Sequence, residues 1–564
     1  MKPMQRLCAV ICALLLTMTV EAQEKESHNF QVIKNLEIFN QAYKNLDMMF
    51  VDTLNPEHVI NSAMKGMLSQ MDPYTEYFPN DNEYKKSMEG GYAGIGATIH
   101  YSFKQKNVVV DEPFEGSPAA KAGLKKGDVI LAIDKDDMQG KEVSFVSSHL
   151  RGEAGTTFML KILRKGKTLK MKITREAIKA VATIPYYGLH GDVGYLNLSS
   201  FVTEDCSKEV RRAYIDLRNR GAKKFIIDLR NNGGGLLNEA IDMVNMFVPK
   251  GLDIVEMRGK VERANYTYST TVEPIDTLMP LVVLVNRSSA SASEIFAGAM
   301  QDLDRAVVMG QRTYDKGLVQ RTFGMPYGGN LKLTVAKYYI PSGRCIQAIN
   351  YNRSDKARYE KDDIPDSLTT AFHTRNGREV RDGRGIKPDV EIKVDTISNV
   401  CFYLTQIVDS TDVYFNWVND YCQSHPTIAS PADFEISDAD YADFRQKVID
   451  SGFKYDRISS EYMKKFKESA KLEGYYDDAK AEIDALEKKL QTGNIGRELD
   501  KHEDEIRQTI SQDIISSYYF QRGATEYTLR HDKTYLEAVR LLNDTKRYNE
   551  LLQPSQDKDT GNNE

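Results

Sequence analysis

Three short segments of this 564-residue chain contain residue types that could carry out chemistry together. Residues 225–235 read as a strand that ends in three glycines, whose backbone N–H groups can point at negative charge. The turn Ser289-Ala290-Ser291-Ala292-Ser293 lies between a predicted strand and a predicted helix, which is where a nucleophilic serine can be presented. Lys316 lies beside a glycine after a third strand. A hydroxyl nucleophile, an amine base and an oxyanion site are therefore possible at the ends of neighbouring strands.

Each segment, taken alone, also allows a simpler interpretation. The glycine turn could be an ordinary tight turn or a phosphate site, although it lacks the Gly-Lys-Ser/Thr pattern of a nucleotide-binding loop. Ser291 with Glu294 three residues later fits a capping box, in which the serine only caps a helix. Lys316 could be a solvated surface charge. To act as a base near neutral pH, its pKa must fall by a few units from about 10.4 through burial, which the apolar neighbours Leu318 and Val319 make possible.

The distribution of histidines narrows the choice of mechanism. The chain has nine histidines, none of them lies in the three segments, and no His-Glu-x-x-His pair occurs. A Ser-His-Asp triad and a zinc hydrolase are therefore disfavoured. A serine hydrolase without histidine needs another base, and lysine is the known substitute. A serine hydrolase built from these segments would therefore use a lysine base, and it would need no metal and no other cofactor.

Strands and helices alternate over residues 178–395, and this pattern predicts an α/β core with a mostly parallel sheet. Chemistry in such sheets gathers beyond the carboxyl ends of the strands, where all three segments fall. The polar stretch 352–381 reads as an inserted loop. Residues 396–564 carry long charged helical patterns and predict a helical extension. This extension could cover the core, clamp a second subunit or hold substrate, and its sequence does not choose among these roles.

Residues 89–177 differ in character from the helical region before them. A glycine-rich start is followed by strand-like runs, a short helix and the string Ser-Pro-Ala-Ala-Lys-Ala-Gly-Leu-Lys-Lys-Gly-Asp-Val-Ile-Leu-Ala-Ile-Asp at 117–134. This segment resembles a PDZ domain, and the resemblance implies that the loop Gly94-Ile95-Gly96 presents backbone N–H groups to a peptide's C-terminal carboxylate, while the peptide adds as a strand to the sheet edge. The alternative is a PDZ domain that serves only as a structural module.

The N-terminus has the features of a secretory signal. Lys2 and Arg6 precede an apolar stretch of about 12 residues, which is too short to span a bilayer, and Val20-Glu21-Ala22 suits a signal peptidase. We predict a signal peptide at 1–22 and an exported, periplasmic or envelope protein; an uncleaved anchor is the alternative. The net charge of −6 and the lack of a basic block exclude nucleic acid as the main partner.

Four motifs occur along the chain in a characteristic order: the PDZ string, the glycine turn, the serine turn and the lysine segment that contains Lys316. This order is that of the C-terminal processing peptidases, also called tail-specific proteases, and residues 30–395 resemble that family. The resemblance implies a nucleophile at Ser291 and a base at Lys316, 25 residues later. It implies that Gln320, four residues further on, orients the lysine. It places the oxyanion donors at Ala292 and Gly234, with Gly235 as the alternative to Gly234.

Two features depart from the pattern of the family. Asp315 stands where a glycine usually precedes the base lysine, and a carboxylate facing that lysine would favour its charged form. The extension beyond residue 396 is less general in the family, and no role is carried over to it. Among the four cysteines that follow the signal peptide, Cys401 and Cys422 are the pair to test for a disulfide, with free buried thiols as the alternative.

The prediction is therefore an exported serine endopeptidase with a Ser-Lys mechanism that recognises the C-terminal tails of its substrates through a PDZ domain. Its partners would be proteins or peptides with a free C-terminus, and it could form a homo-oligomer through its helical N- and C-terminal regions. The alternative is a catalytically inactive PDZ scaffold of the cell envelope. The predicted regions are a signal peptide (1–22), a helical N-terminal region (23–88), a PDZ domain (89–177), an α/β protease core (178–395) and a helical C-terminal extension (396–564).

Overall fold

The structure is a computed structural model that describes residues 27–88, 92–178, 182–347, 366–393, 396–406, 411–455, 458–491 and 495–554. The predicted signal peptide, 1–22, lies outside these ranges. Within the described ranges, no helix combines the length and the apolar character that crossing a membrane requires.

The N-terminal region is helical, as predicted, and adds one strand to the core. Its elements are α1 (His28–Met49), α2 (Pro56–Leu68), β1 (Glu76–Phe78) and α3 (Asp81–Met88). The side chains of Ser27 and Asn55 cap α1 and α2 by accepting hydrogen bonds from backbone N–H groups. No residue of α1 is buried.

The PDZ domain is an antiparallel sheet with two short helices. The order in its main sheet is β3-β4-β5-β7-β8, with β6 on β5, and β2 pairs with β9. Its apolar core includes Ile95, Val110 and Ile130. The elements are β2 (Tyr92–Gly94), β3 (Ala97–Ser102), β4 (Asn107–Pro113), α4 (Pro118–Lys121), β5 (Val129–Ile133), β6 (Asp136–Asp137), α5 (Val143–Leu150), β7 (Thr157–Arg164), β8 (Lys167–Thr174) and β9 (Glu176–Ile178).

The described part of the core has two large sheets and the two-stranded β19–β20 sheet. Its elements are β10 (Tyr186–His190), β11 (Val193–Asn197), α6 (Cys206–Asn219), β12 (Lys224–Asp228), α7 (Leu237–Phe247), β13 (Asp253–Gly259), β14 (Tyr266–Ser269), β15 (Leu281–Val285), α8 (Ala292–Asp302), β16 (Val307–Gly310), β17 (Leu318–Gly324), β18 (Asn330–Tyr339), β19 (Ala371–His373), β20 (Glu379–Arg381) and β21 (Val390–Glu391). The first sheet has the order β10-β11-β12-β15-β16-β21, and only its β10–β11 pair is antiparallel.

The prediction of a mostly parallel sheet thus holds for the first sheet and not for the second. The second sheet has the order β1-β18-β13-β14 with β17 on β18, and all of its pairs are antiparallel. The β17–β18 pair is antiparallel because a short hairpin joins the two strands, whereas parallel strands need a long crossover. The stretch predicted as an inserted loop contains the β19–β20 hairpin in its described part.

The C-terminal extension is helical, as predicted. Trp417, Phe444 and Ile510 belong to a core of its own, and its longest helix is kinked at Phe520, where φ is 56°. Cys401 and Cys422 are free thiols, so the disulfide to be tested is not formed. The helices are α9 (Asn399–Thr405), α10 (Val413–Ser424), α11 (Asp438–Asp450), α12 (Ile458–Leu472), α13 (Lys480–Gln491), α14 (Ile495–Lys501), α15 (Glu503–Leu529), α16 (Lys533–Asn543) and α17 (Thr545–Leu551).

The last helices of the extension form one layer of the core. Side chains alternate across a strand, so Ile227 of β12 packs with α6, α7 and α8 on one face of the parallel sheet. Ile226 points to the other face, where it packs with residues of α16 and α17 such as Leu542 and Tyr548. The parallel sheet is therefore covered on both faces, which explains its continuous apolar strands. The extension thus covers the core, one of the three roles that its sequence left open.

The extension also holds the PDZ domain. The Ser102 hydroxyl donates to Asp412 at 2.8 Å, and the Ser516 hydroxyl donates to Glu112 at 2.8 Å. Phe415 of α10 packs against apolar residues of β4 and β5. One helical domain therefore contacts both the PDZ domain and the parallel sheet.

We expect Leu542→Ala to lower the free energy of unfolding by about 2–5 kcal/mol, because Leu542 is buried against the parallel sheet and its truncation leaves a cavity. The matched control is Lys546→Ala in α17, whose side chain is 88% exposed. Urea unfolding measures both variants. Equal stability of the two would show that these helices are not a layer of the core.

Candidate active site

The serine turn presents one serine at the start of a helix. Ser289 and Ser293 are completely buried, whereas Ser291 is partly exposed. Ser291 has φ 56° and ψ −114°, a conformation that a residue with a side chain rarely adopts and that marks functional turns. It directly precedes α8. Of the three serines, Ser291 is therefore the one that a substrate can reach.

Ser289 and Ser293 join the serine turn to the glycine turn. The Ser289 hydroxyl donates to the Leu229 carbonyl at 2.8 Å, and the Ser293 hydroxyl donates to the Asn232 carbonyl at 2.9 Å. The same Asn232 carbonyl accepts a second bond, from the Ala290 N–H at 3.0 Å. These buried bonds give the flanking serines a structural role.

The predicted oxyanion donors lie beside Ser291. Ala292 is the first residue of α8, and its backbone N–H makes no hydrogen bond to any described residue. Gly234 has φ 96°, and a Cβ there would lie 2.9 Å from the Ser291 Cβ, so only glycine fits. The Gly234 N–H, however, donates to the side-chain oxygen of Asn232 at 2.9 Å. The alternative, Gly235, packs against the backbone of Phe201.

Lys316 lies in a partly buried position. Its Nζ lies 4.7 Å from the centre of the Tyr74 ring, and no hydrogen bond joins it to the Ser291 hydroxyl in the described structure. Burial is the main cause that lowers its pKa, and the positive charge of Lys332 lowers it further. Glu294 is the first of three carboxylates that raise it. The net effect is a lowered pKa, as a lysine base requires.

Gln320 and Asp315 flank the lysine. The Gln320 amide donates to the Thr334 hydroxyl at 3.2 Å and is not hydrogen-bonded to Lys316. Asp315 has φ 80°, a left-handed conformation in which glycine is unstrained, so a glycine is favoured before the lysine. The structure thus places Ser291, Lys316 and Gln320 on adjoining elements without a hydrogen bond between the serine and the lysine.

Glu294 connects the serine turn to the lysine segment. Its carboxylate is fully buried and accepts four hydrogen bonds, from Ser291 N at 2.8 Å, Thr313 Oγ1 at 2.6 Å, Asp315 N at 2.7 Å and Lys316 N at 2.9 Å. Burial raises the pKa of this carboxyl to about 7 even though the four donors lower it. The sequence pattern suggested only the bond to Ser291, the glutamate half of a capping box.

Two further residues that sequence reasoning missed come from distant segments. Tyr74 belongs to the N-terminal region and supplies the ring under Lys316. Tyr338 is buried on β18, and its hydroxyl donates to the Lys316 carbonyl and, at 3.4 Å, to the Ser291 carbonyl. No local sequence pattern marks either residue, because each reaches the site only through the folding of the second sheet.

The PDZ groove is a separate cavity of about 330 Å³ between β3 and α5. It is lined mostly by apolar side chains, including Ile95, Val143 and Leu150. Gly96 has φ 70°, and a Cβ there would meet Ser117 at 2.6 Å. Ser102 and Glu112, which bond the extension, are not among the residues that line the groove.

Three family models match the chain. They are Peptidase family S41 at residues 192–353, PDZ domain at 91–174, and Probable PDZ-protease, C-terminal helical domain, at 404–542. Over 342 residues the chain is 35% identical to the "Carboxy-terminal-processing protease" of Bartonella bacilliformis, covering 59% of this chain and 77% of that protein. The chain belongs to the C-terminal processing peptidases of family S41.

A second curated relative agrees with this membership. The peptidase is 34% identical over 316 residues to a "Probable CtpA-like serine protease" of Staphylococcus aureus, covering 55% of this chain and 62% of that protein. A solved "Photosystem II D1 C-terminal processing protease" is 26% identical with a TM-score of 0.35, covering 63% of this chain and 92% of that one. The predicted family is confirmed, and the chain is a serine peptidase with a PDZ domain. Among the described residues, no cluster of His, Cys, Asp and Glu could hold a metal.

We expect Glu294→Gln to lower kcat by about 10-fold or more. The NH2 group of the glutamine would face one of the four donors without accepting a hydrogen bond from it, and this would shift Ser291 relative to Lys316. The control is Glu239→Gln on α7, another buried glutamate that accepts a backbone N–H, that of Ser207 at 2.7 Å. Peptide cleavage is measured on folded protein. A Glu294→Gln variant with the kcat of the wild type would contradict the role of this carboxylate.

Proposed function

We propose that this peptidase is an exported endopeptidase in which Ser291 is the nucleophile and Lys316 the base. The observation that carries the proposal is the bonding of Glu294, which connects the backbone of the accessible, strained Ser291 to that of a lysine with a lowered pKa. A surface lysine would need neither burial nor this connection.

In the proposed reaction, neutral Lys316 takes the proton of Ser291, whose oxygen attacks a peptide carbonyl. The N–H groups of Ala292 and Gly234 stabilise the oxyanion, and the loss of one such donor typically costs about 3–4 kcal/mol. Lys316 then returns the proton to the leaving amine, while Gln320 orients the lysine. This requires Lys316 to leave the Tyr74 ring and Gly234 to exchange the Asn232 oxygen for the oxyanion.

The PDZ domain is proposed to select substrates by their tails. A substrate's C-terminal residues would add as a strand beside β3, with the carboxylate on the Gly94-Ile95-Gly96 loop and an apolar side chain in the groove. The residues upstream of the tail then reach Ser291. The partners are thus proteins or peptides with a free C-terminus, met outside the cytoplasm if residues 1–22 act as a signal peptide.

We further propose that two copies pair through α1. Val32, Leu36, Phe39, Tyr43 and Leu46 recur at alternating spacings of four and three residues, which is the seam of a two-helix coil. The four aliphatic and phenylalanine side chains of this set are 43–64% exposed. In an antiparallel pair, Leu36 of each copy would lie opposite Leu46 of the other, and Phe39 of each copy opposite Tyr43 of the other. A two-fold interface requires such reciprocal contacts.

We expect Ser291→Ala and Lys316→Ala each to abolish peptide cleavage and to leave the unfolding midpoint close to that of the wild type. Ser293→Ala is the matched control: it loses a buried bond to Asn232, at a cost of about 1 kcal/mol, and keeps substantial activity. Activity in Ser291→Ala with none in Ser293→Ala would refute the assignment of the nucleophile. Wild-type protein that binds free tails and cleaves nothing would support the scaffold alternative.

Activity should rise with pH through the pKa of folded Lys316, because only the deprotonated amine can act as the base. The charge of Lys332 lowers that pKa, so Lys332→Gln should move the rise to higher pH. Lys337→Gln, an exposed lysine on the same strand, is the control and should leave the profile in place. An unshifted profile in Lys332→Gln would show that Lys316 does not govern the rise.

A substrate with a free apolar C-terminus should show a kcat/KM about 10-fold higher than the same substrate amidated or ending in Asp, because charge-assisted hydrogen bonds are about twice as strong as neutral ones. Ser147→Trp, which fills the groove, should remove this preference, and Ser148→Trp on the exposed side of α5 should keep it. Equal rates for the three tails on the wild type would leave the PDZ domain as a structural module.

A further inference from the structure

A buried ionic network lies directly before the glycine turn. Asp228 ends β12, is 2% exposed and accepts a hydrogen bond from the Tyr195 hydroxyl at 2.7 Å. It also accepts the backbone N–H of Arg230 at 2.9 Å and the Arg230 guanidinium at 2.5 Å through Nη2. Arg230, at the start of the turn that leads to Gly234, is thereby bonded to Asp228.

A second carboxylate reaches the same guanidinium from the C-terminal extension. Asp532 Oδ2 lies 2.6 Å from Arg230 Nη2, and the two side chains are 12% and 20% exposed. Its other oxygen, Oδ1, accepts the Tyr535 N–H at 3.1 Å and so caps α16. Asp532 therefore has two separate tasks, one for each oxygen.

The contact lies at the carboxyl edge of the parallel sheet. A polar cavity of about 380 Å³ separates the strand ends from α15, and Asp228, Arg230 and Asp532 are among the residues that line it. Beyond Arg230 the turn is bonded to the serine turn, by Asn231 N to Asn286 Oδ1 at 2.9 Å and by the Asn232 bonds described above. A shift of Arg230 would thus be transmitted to Gly234 and Ser291.

We propose that Asp532, a residue of the C-terminal extension, is a positioning residue for the oxyanion site. It acts on the glycine turn through its contact with Arg230. The inference rests on the proposed function, because it assigns the oxyanion donor to Gly234. Asp228 holds the guanidinium from one side, through Nε at 2.9 Å and Nη2 at 2.5 Å, and Asp532 holds Nη2 from the other side. Without the Asp532 charge, one side of the cation would face the adjoining cavity. The extension thereby acts on the rate of the chemical step as well as on the stability of the core.

Two substitutions separate the two tasks of Asp532. Asp532→Asn keeps a good helix cap for α16 and removes the charge beside Arg230, whereas Asp532→Glu keeps the charge and is a poor cap. We expect kcat to depend on whether the variant keeps the charge beside Arg230, and the unfolding midpoint to depend on whether it keeps a good helix cap. Asp532→Asn should lower kcat by about 10-fold with KM within about twofold of the wild type, and Asp532→Glu should recover most of the kcat.

The matched control is Asp544→Asn. Asp544 caps α17 by accepting the Arg547 N–H at 3.0 Å and is exposed, so this change repeats the same chemistry at a cap that does not contact Arg230. It should leave kcat and KM unchanged. Wild-type kcat in Asp532→Asn, or a kcat loss that Asp532→Glu does not recover, would overturn the proposal.

The affinity for a peptide aldehyde gives a second readout. The aldehyde forms a tetrahedral adduct on Ser291, and the oxygen of this adduct needs the oxyanion donors. Asp532→Asn should therefore weaken the affinity for the aldehyde in proportion to the loss in kcat. Affinity for an uncleaved free-tail peptide should not change, because that peptide binds the PDZ groove. Ser291→Ala distinguishes the two levels of the account: activity in that variant refutes the proposed function, whereas an inactive Ser291→Ala beside a fully active Asp532→Asn refutes only the role of Asp532.

Discussion

The arrangement of the active site depends on one buried carboxylate. Glu294 accepts hydrogen bonds from the backbone of Ser291 and of Lys316, two residues on separate segments that must meet for a dyad to form. Four donors surround it, and burial still raises its pKa to about 7, so the cost of desolvating its charge is balanced against those bonds. The carboxylate holds the backbones of Ser291 and Lys316, and neither side chain of the proposed dyad is among its four donors.

The rest of the fold holds the segments that Glu294 joins. The parallel sheet places the glycine turn after β12 and the serine turn after β15 at one edge, because neighbouring parallel strands end on the same side. The antiparallel sheet contributes the lysine segment before β17 and buries Tyr338 beneath it. The C-terminal extension covers the second face of the parallel sheet and contacts the glycine turn through Asp532, so the site is assembled from parts far apart in the chain.

The sequence predicted those features of the fold and the site that depend on residues close together in the chain. The alternation of strands and helices indicated the parallel sheet, and the turns at Gly234 and Ser291 were recognisable because a glycine is sterically required at the first and a helix begins after the second. The antiparallel sheet, the Tyr74 ring and the Asp532 contact were not predictable, because each depends on pairing between segments with no local signal. The bond from Gly234 to Asn232 was also missed, although an asparagine two residues before a glycine is the local signal of this turn.

The proposed site becomes active through side-chain movement within a fixed backbone frame. The most direct test is a crystal structure with a peptide aldehyde bound to Ser291, read at the Lys316 Nζ, the Gly234 N–H and the Glu294 carboxylate. We predict all four hydrogen bonds of Glu294 unchanged, Nζ within about 3.2 Å of the Ser291 oxygen, and the Gly234 N–H on the adduct oxygen. Broken Glu294 bonds, or a lysine still over Tyr74 in the adduct, would contradict the account.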